Sequence, residues 1–364
     1  MPNFAGLNKN GLFTNLYSMV IDQRVFAELV KGTYSELVDM ARVDGSLYGD
    51  QKLFYSPSTL HSYEFGPDAD PTNLLSTHIA PEPKVQSIVL NVFRQVVITT
   101  EDIWTKQLFM DEGIFTSFND IMIKQLAETK KIWESTTFNT FIGTNVAEKG
   151  RQNLTITPVS GQNDALTVSV ALANIAADLK DINDDLNDWE LLRSYDPNEM
   201  VAVFNAEVLN QLRKADVPQV YHIDNILKGF TIVELPARYF GEKIGTLGET
   251  ATIMNDGNTY RTLVEGVFGG KHLYPGQALP VGAQVDAGKA YKEDGTIAFK
   301  LYHKRGVPFM SSFTRGSAFF NAHTLKTNNY LTWGCNTLEH LKEYPFITAK
   351  FKEMEDIITY PDEV

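Results

Sequence analysis

The chain has 364 residues, with 32 Lys and Arg against 45 Asp and Glu, a net charge of −13 at pH 7. That balance argues against nucleic-acid binding as the main business of its surface, although DNA that the protein must avoid gripping is compatible with it. At 43% hydrophobic residues it can build a core, its length suggests about two domains or one elaborated one, and no apolar run approaches the ~18 residues of a membrane helix.

The N-terminal MPNFAGLNKNGLF lacks a basic region followed by an apolar core, so no signal peptide is expected. The single cysteine, Cys335, excludes an internal disulfide and fits a reducing cytoplasm. Residues 15–42 read as one or two short amphipathic helices, with Leu16, Val20, Ile21, Val25, Leu29 and Val30 on a common side. From Gly45 to Pro83 the pattern changes. Tyr48, Phe54, Tyr55, Tyr63 and Phe65 stand among Pro57, Pro67, Pro71, Pro81 and Pro83 without helical period. A disordered linker would be poor in aromatics, so this segment reads as an arm that buries itself against another chain. The plainer reading is an irregular loop folded on its own core.

KVQSIVLNVFRQVVITTEDIW, 84–104, is strand-like, rich in Val and Ile. A helix follows, opened by Ser117 with Asp120 three residues on, a variant of the capping box. Phe118, Met122, Leu126, Ile132, Trp133 and Thr136 track one face. About 25 residues of helix span about 37 Å, too long for a small core to wrap, so it reads as a strut.

After 150 the pattern is α/β. A helix is expected over about 164–188, then a strand MVAVFN at 200–205, a helix AEVLNQLRKAD and a strand FTIVELP. Asn255-Asp256-Gly257 and Asp294-Gly295 are hairpin signals. After the second, Ile297, Phe299 and Leu301 alternate with Ala298, Lys300 and Tyr302, predicting a half-buried strand.

The stretch Asp178–Trp189, DLKDINDDLNDW, holds five aspartates in twelve residues and tests the metal reading. Asp181, Asn183 and Asp185 fit the first, third and fifth positions of an EF-hand loop, but the sixth is Leu186 and the twelfth Leu192. Without the turn glycine and the bidentate glutamate such a loop cannot close on calcium. Leu172, Ile175, Leu179, Ile182, Leu186 and Trp189 alternate three and four apart, which predicts a helix with the aspartates on its wet face.

No catalytic pattern emerges. The histidines at 61, 78, 222, 272, 303, 323 and 340 show no ligand spacing. GSLYG at 45–49 puts Ser46 one place early for a nucleophile elbow, and GVFGGKH at 266–272 has Glu265 and His272 where a phosphate loop needs Gly and Ser or Thr. Asn153-Leu154-Thr155 is a glycosylation sequon in letters only, and Cys335 reads as a buried structural cysteine. No catalytic, cofactor-binding or metal residue is assigned, no cofactor is expected, and the chain reads as a non-enzyme.

The order of elements carries a resemblance. VVITTED followed by IKQLAETKKIWESTTFNTFIGT resembles the region of tailed-bacteriophage major capsid proteins where a strand and short turn lead into the spine helix. VAVFNAEVLNQLRK, His222-Ile-Asp-Asn, Leu227-Lys-Gly-Phe and TIVELP are similar to the axial domain of that family. The resemblance covers about 84–325, is nearest in character to small podovirus-like heads, and implies an α+β, Hong Kong 97-like phage capsid fold. In that layout 1–45 is an N-terminal arm, 46–83 an extended loop, 84–150 a peripheral domain with the spine helix, 151–290 an axial α/β domain, and 291–364 the return to the peripheral domain with a C-terminal segment. The implied function is a major capsid protein that self-assembles into the icosahedral head of a tailed phage around double-stranded DNA.

Its implied partners are many copies of itself as hexamers and pentamers, a portal, and packaged DNA that is not read by sequence, with no membrane. The expected location is the virion, after assembly in the host bacterial cytoplasm. No coiled-coil prefix is present, so the resemblance implies a separate scaffolding protein, and no covalent crosslink between subunits is expected. Encapsulin-type nanocompartment shells share the fold and would be distinguished by an inner pocket for a cargo peptide. An α/β enzyme with an unrecognised site would show saturable small-molecule binding as a monomer. An adhesin or carbohydrate-binding module would be mostly strands, unlike the amphipathic helices here.

Overall fold

The computed structural model describes residues 36–44, 51–62, 77, 79–100, 112–157, 164–213, 229–245, 252–254 and 259–352. In chain order the first elements are helix α1 (Glu36–Ala41) and strands β1 (Arg42–Asp44), β2 (Gln51–Ser56) and β3 (Lys84–Thr100). Helix α2 (Glu112–Thr144), β4 (Asn153–Ile156), α3 (Asp164–Lys180), β5 (Met200–Asn205), α4 (Ala206–Arg213) and β6 (Thr231–Leu235) follow. Short strands come next: β7 (Gly241–Lys243), β8 (Thr252–Met254), β9 (Tyr260–Thr262), β10 (Gly266–Phe268), β11 (Lys271–Leu273), β12 (Gln284–Asp286) and β13 (Ala290–Glu293). The last are β14 (Ile297–His303), β15 (Phe309–Asn321), β16 (Lys326–Asn336) and β17 (Phe346–Phe351). Among the described residues no helix is long and apolar enough to cross a membrane.

Two five-stranded sheets organise these elements. The central one has the order β4-β17-β14-β5-β6, and every residue of β5 and of β14 is buried. One face packs on α3 and α4 through Leu172, Ile175, Leu179, Phe204, Phe299 and Leu301. The other packs on the C-terminal part of α2 through Phe138, Ile142, Val201, Val203, Tyr302 and Phe346. Being covered twice is why β14 is not the half-buried strand expected from its alternation, and why Lys300 lies inside the protein. The second sheet has the order β1-β15-β16-β3-β2 and projects from this core.

Helix α2 is 33 residues, about 50 Å of rod. It begins at Glu112, so Ser117 lies within it and is not its N-cap; once nucleated, a helix gains one hydrogen bond per added residue and runs past a weak start signal. Its last turns are buried on all sides, Phe138, Ile142, Asn139 and Thr140 together. Gly143 makes that possible, because a Cβ there would lie 2.1 Å from the Tyr239 carbonyl oxygen.

Helix α3 stops at Lys180, eight residues short of the expected end. The Asn183 side chain donates to the Asp178 carbonyl (2.6 Å) and the Tyr195 amide to the Leu179 carbonyl (2.7 Å), satisfying acceptors that a continuing helix would have used. Ile182 is therefore exposed, whereas Leu186 still reaches the core from a turn. The Asp294-Gly295 signal does not close a hairpin. β13 before Asp294-Gly295 pairs with β7 and β9, β14 after it belongs to the central sheet, and the Asp294 carboxylate accepts from the Thr296 amide and hydroxyl to shape the change of sheet. β8 and β9, which flank Asn255-Asp256-Gly257, pair with β12 and β13 instead; the turn itself lies outside the described residues.

Candidate assembly interface

Strand β3 runs the length of the projecting sheet: residues 84–89 pair with β2 and residues 90–100 with β16. Residues 51–56, inside the proline-punctuated segment, thus form one arm of a two-stranded ribbon. Directly paired residues of antiparallel strands share a face. Gln51, Leu53 and Tyr55 stand beside Val89, Ser87 and Val85, and all six are exposed, Tyr55 by 60% and Leu53 by 47%. The opposite face carries Phe54, which packs on Ile88, Leu90, Met310 and Leu341. The aromatics of this segment therefore do not act together as the sequence suggests: Phe54 belongs to the body, Tyr55 faces out, and Tyr48, Tyr63 and Phe65 lie outside the described residues.

At the other end, β15 and β16 form a hairpin that continues β3 into a tongue. Trp333 and Cys335 hold its root in the core, where Trp333 meets Trp133 of α2 edge to face at 5.9 Å. Farther out Lys130 of α2 donates to the Thr314 hydroxyl (2.7 Å), and beyond that β15 is exposed. Val97 and Phe319 share the face turned away from Trp133, and Phe319 is 61% exposed. At the tip Leu325 has φ 56°, an uncommon conformation for a side-chain-bearing residue, and the Asn321 carboxamide accepts from the His323 and Thr324 amides. The outer edges of β2 and of distal β15 have no strand partner among the described residues. An exposed strand edge beside apolar side chains is a template for a second chain.

The acidic stretch anchors this ribbon. The Asp188 carboxylate is shielded from solvent although its residue is only partly buried; its Oδ1 accepts from the Lys149 amide (3.1 Å) and Gln152 Nε2 (2.7 Å), and its Oδ2 from His340 Nε2 (2.6 Å). Desolvation would raise its pKa, but the bonds from His340 and the Lys149 amide outweigh it and hold the carboxyl below its ordinary value. His340 Nδ1 in turn faces Asn145 Nδ2 (3.1 Å) at the end of α2. Gln86 of β3 donates to the His340 carbonyl (3.0 Å) and accepts from the Lys342 amide (2.9 Å). Arg193 donates to the Ser56 hydroxyl (3.2 Å) and the Pro57 carbonyl (2.7 Å), and Lys84 reaches the Trp189 carbonyl. The turn expected to present aspartates to water thus shields the carboxylate of one of them and seats both strands of the ribbon. Partners 36 to 256 residues apart in the chain leave no spacing that a sequence reading could detect.

Lys300 extends this network inward. Its Nζ donates to the carbonyl of Asn145 (2.8 Å) and to the Thr348 hydroxyl (2.9 Å), tying the end of α2 to the central sheet. Burial, reinforced by Lys350 and Lys243, pushes its pKa down to about 7. Cys335 is buried and its thiol is pushed up to about 12, mainly by desolvation, which makes it a packing residue rather than a nucleophile. Among the described residues no cluster of three or more His, Cys, Asp or Glu side chains could hold a metal ion.

No protein-family model and no curated protein matches this sequence. Solved structures do. A chain from the capsid structure of Staphylococcus phage Andhra is similar with a TM-score of 0.59 at 8% identity, over 86% of this chain and 83% of that one. A chain from the structure of head fiber and inner core protein gp22 of native bacteriophage P68 is similar with a TM-score of 0.55 at 9% identity, over the same shares, 86% and 83%. The chain has the Hong Kong 97-type phage capsid fold. At such identity the likeness is one of backbone architecture, reached with a different set of side chains.

Proposed function

We propose that this chain is the major capsid protein of a tailed bacteriophage, the subunit of an icosahedral head that encloses double-stranded DNA. The observation that carries this reading is the exposed apolar face of the ribbon, Leu53, Tyr55, Val85 and Val89, projecting on a capsid-type fold. Apolar burial is worth about 25 cal/mol per Å², so one ribbon contact is modest. Closed symmetry repeats it at every subunit, and a shell of weak contacts becomes stable. The net charge of −13 suits a container for DNA, since a basic lumen would hold the polymer during packaging and ejection.

On this reading the subunit is structural rather than enzymatic and forms hexamers and pentamers. A separate scaffolding protein and a portal take part in assembly in the host cytoplasm, and the finished protein resides in the virion. The arm (1–45) and extended loop (46–83) reach neighbouring copies. The sheet of β3, β15 and β16 with α2 suits the peripheral layer, and β5 and β6 lie in the axial range 151–290; β14 and β17, within the 291–364 return, pair into that central sheet rather than the peripheral one.

Negative-stain microscopy and sedimentation velocity of the purified protein test the reading. Closed shells or capsomer rings are expected. A monodisperse monomer across a hundredfold concentration range, with and without a crowding agent, overturns it.

A further inference from the structure

Two connections between the central and projecting sheets meet at the end of β14. Residues 304–308 lead from β14 into β15, and residues 337–345 lead from β16 into β17. The Leu341 amide donates to the Gly306 carbonyl (2.7 Å), tying one connection to the other. His303, the last residue of β14, sits at this meeting point with 3% of its surface exposed, and its ring stacks on Tyr344 with 4.3 Å between centres. Both ring nitrogens are engaged: Nδ1 lies 3.1 Å from the Arg305 amide nitrogen, and Nε2 lies 3.0 Å from Glu199 Oε2. The same two segments share backbone bonds, since the Lys304 amide donates to the Glu199 carbonyl (2.9 Å) and the Gly306 amide to the His303 carbonyl (2.7 Å).

This arrangement fixes where the ring proton is. A backbone amide only donates, so Nδ1 must be a bare acceptor and the single proton is on Nε2, aimed at the Glu199 carboxylate. A second proton has one place to go, Nδ1, where it would face the Arg305 N–H and break that bond. The charges around the ring are divided. Glu199 favours a cation, whereas Lys304 and Arg305 on the turn oppose it. From the other connection come the Tyr344 ring and Glu343, whose carboxylate lies 3.8 Å from Arg193, and the Tyr195 ring stands 6.5 Å away. Burial outweighs the bond to Glu199 and holds the imidazole below its ordinary value of 6.5.

We propose that His303 is an acid-sensitive latch where the two sheets join: taking up a proton breaks its bond to the Arg305 amide and opens the 304–308 connection while the central sheet stays folded. The closed turn binds fewer protons than the open one, so closure is complete above the ordinary histidine range and weakens as pH falls below it. The latch lies within one chain and does not depend on the shell reading.

Hydrogen exchange read by mass spectrometry on the full-length chain tests this, at pH 7.5, 6.5, 5.5 and 5.0 and corrected for the intrinsic pH dependence of exchange. The opening constant of a peptide spanning 304–310 is expected to rise below pH 6.5 by up to about tenfold per pH unit. A peptide spanning β5 should stay protected throughout. His303→Asn supplies an amide oxygen that can accept from the Arg305 amide and cannot titrate, so opening of its 304–310 peptide should not vary over this range. A histidine that serves packing alone would leave the slope unchanged in the variant. The proposal fails if 304–310 shows no pH dependence in the unaltered chain, if β5 opens in step with it, or if His303→Asn keeps the slope. Should the variant not fold, the comparison of the two peptides in the unaltered chain decides alone.

Discussion

In the central sheet all seven residues of β14 are buried, whereas β15 in the projecting sheet leaves every residue from Thr314 to Phe320 exposed. Both strands are rich in aromatic and aliphatic residues. The difference lies in what covers them: β14 has a strand on each side, α3 against one face and α2 against the other. Distal β15 has one strand neighbour among the described residues and little over its faces. A sheet that completes its burial inside the chain makes the body, and a sheet that does not keeps apolar surface for another chain. Substitutions in the two sheets should therefore fail in different assays.

The largest effect belongs to the central sheet. Leu179 on α3 is fully buried against it. Leu179→Asp places a carboxylate in that core and should cost more than about 4 kcal/mol, among the exceptional class of point mutations. Chemical denaturation with circular dichroism measures it, and an unchanged midpoint would contradict the packing of α3.

Lys300 gives the next largest effect and reads the interior by pH. Its folded-state pKa of about 7 lies below the ordinary 10.5, so between those values the unfolded chain binds more protons than the folded one. Stability should therefore rise with pH through that window, by up to about 1.4 kcal/mol per pH unit from this group. Lys300→Met should flatten that rise, as followed by urea midpoints from pH 7 to 10. An equal slope in the variant would place the charge elsewhere.

These two residues also show what the sequence made legible. Leu179 belongs to a run of apolar residues at helical spacing, and such runs announce α3, α4 and the strand β5. Lys300 alternates with Phe299 and Leu301 as a solvent-facing residue of a half-buried strand would. Only the long-range arrival of α2 at its back makes it internal, and no local pattern encodes that. Asp188 is hidden for the same reason, since its partners Lys149 and His340 come from distant segments. Asp294-Gly295 does mark a turn, but turn chemistry fixes a local bend and not which sheet receives the next strand. Strand β2 carries no legible alternation because its two faces hold one aromatic each, Phe54 and Tyr55, so that no polar face appears in QKLFYS.

The smallest expected effect on folding separates those two neighbours and tests the comparison within a single strand. Phe54 packs on Ile88, Leu90, Met310 and Leu341, so Phe54→Ser should destabilise the body by about 2–4 kcal/mol through lost burial and a cavity. Tyr55 and Leu53 point the other way and touch water, so the double change Leu53→Ser with Tyr55→Ser should leave stability within about 0.5 kcal/mol. The same double change should block or redirect assembly. If the ribbon face is covered by a neighbour, each copy loses about 1.5–3 kcal/mol per side chain at every contact, and repetition around a shell multiplies the loss. Thermal melts beside particle counts from electron microscopy read both quantities. A double variant that melts normally and still forms normal shells would remove the ribbon from the interface. One that melts early would show that Leu53 and Tyr55 pack on their own body, and would erase the distinction between the two faces of β2.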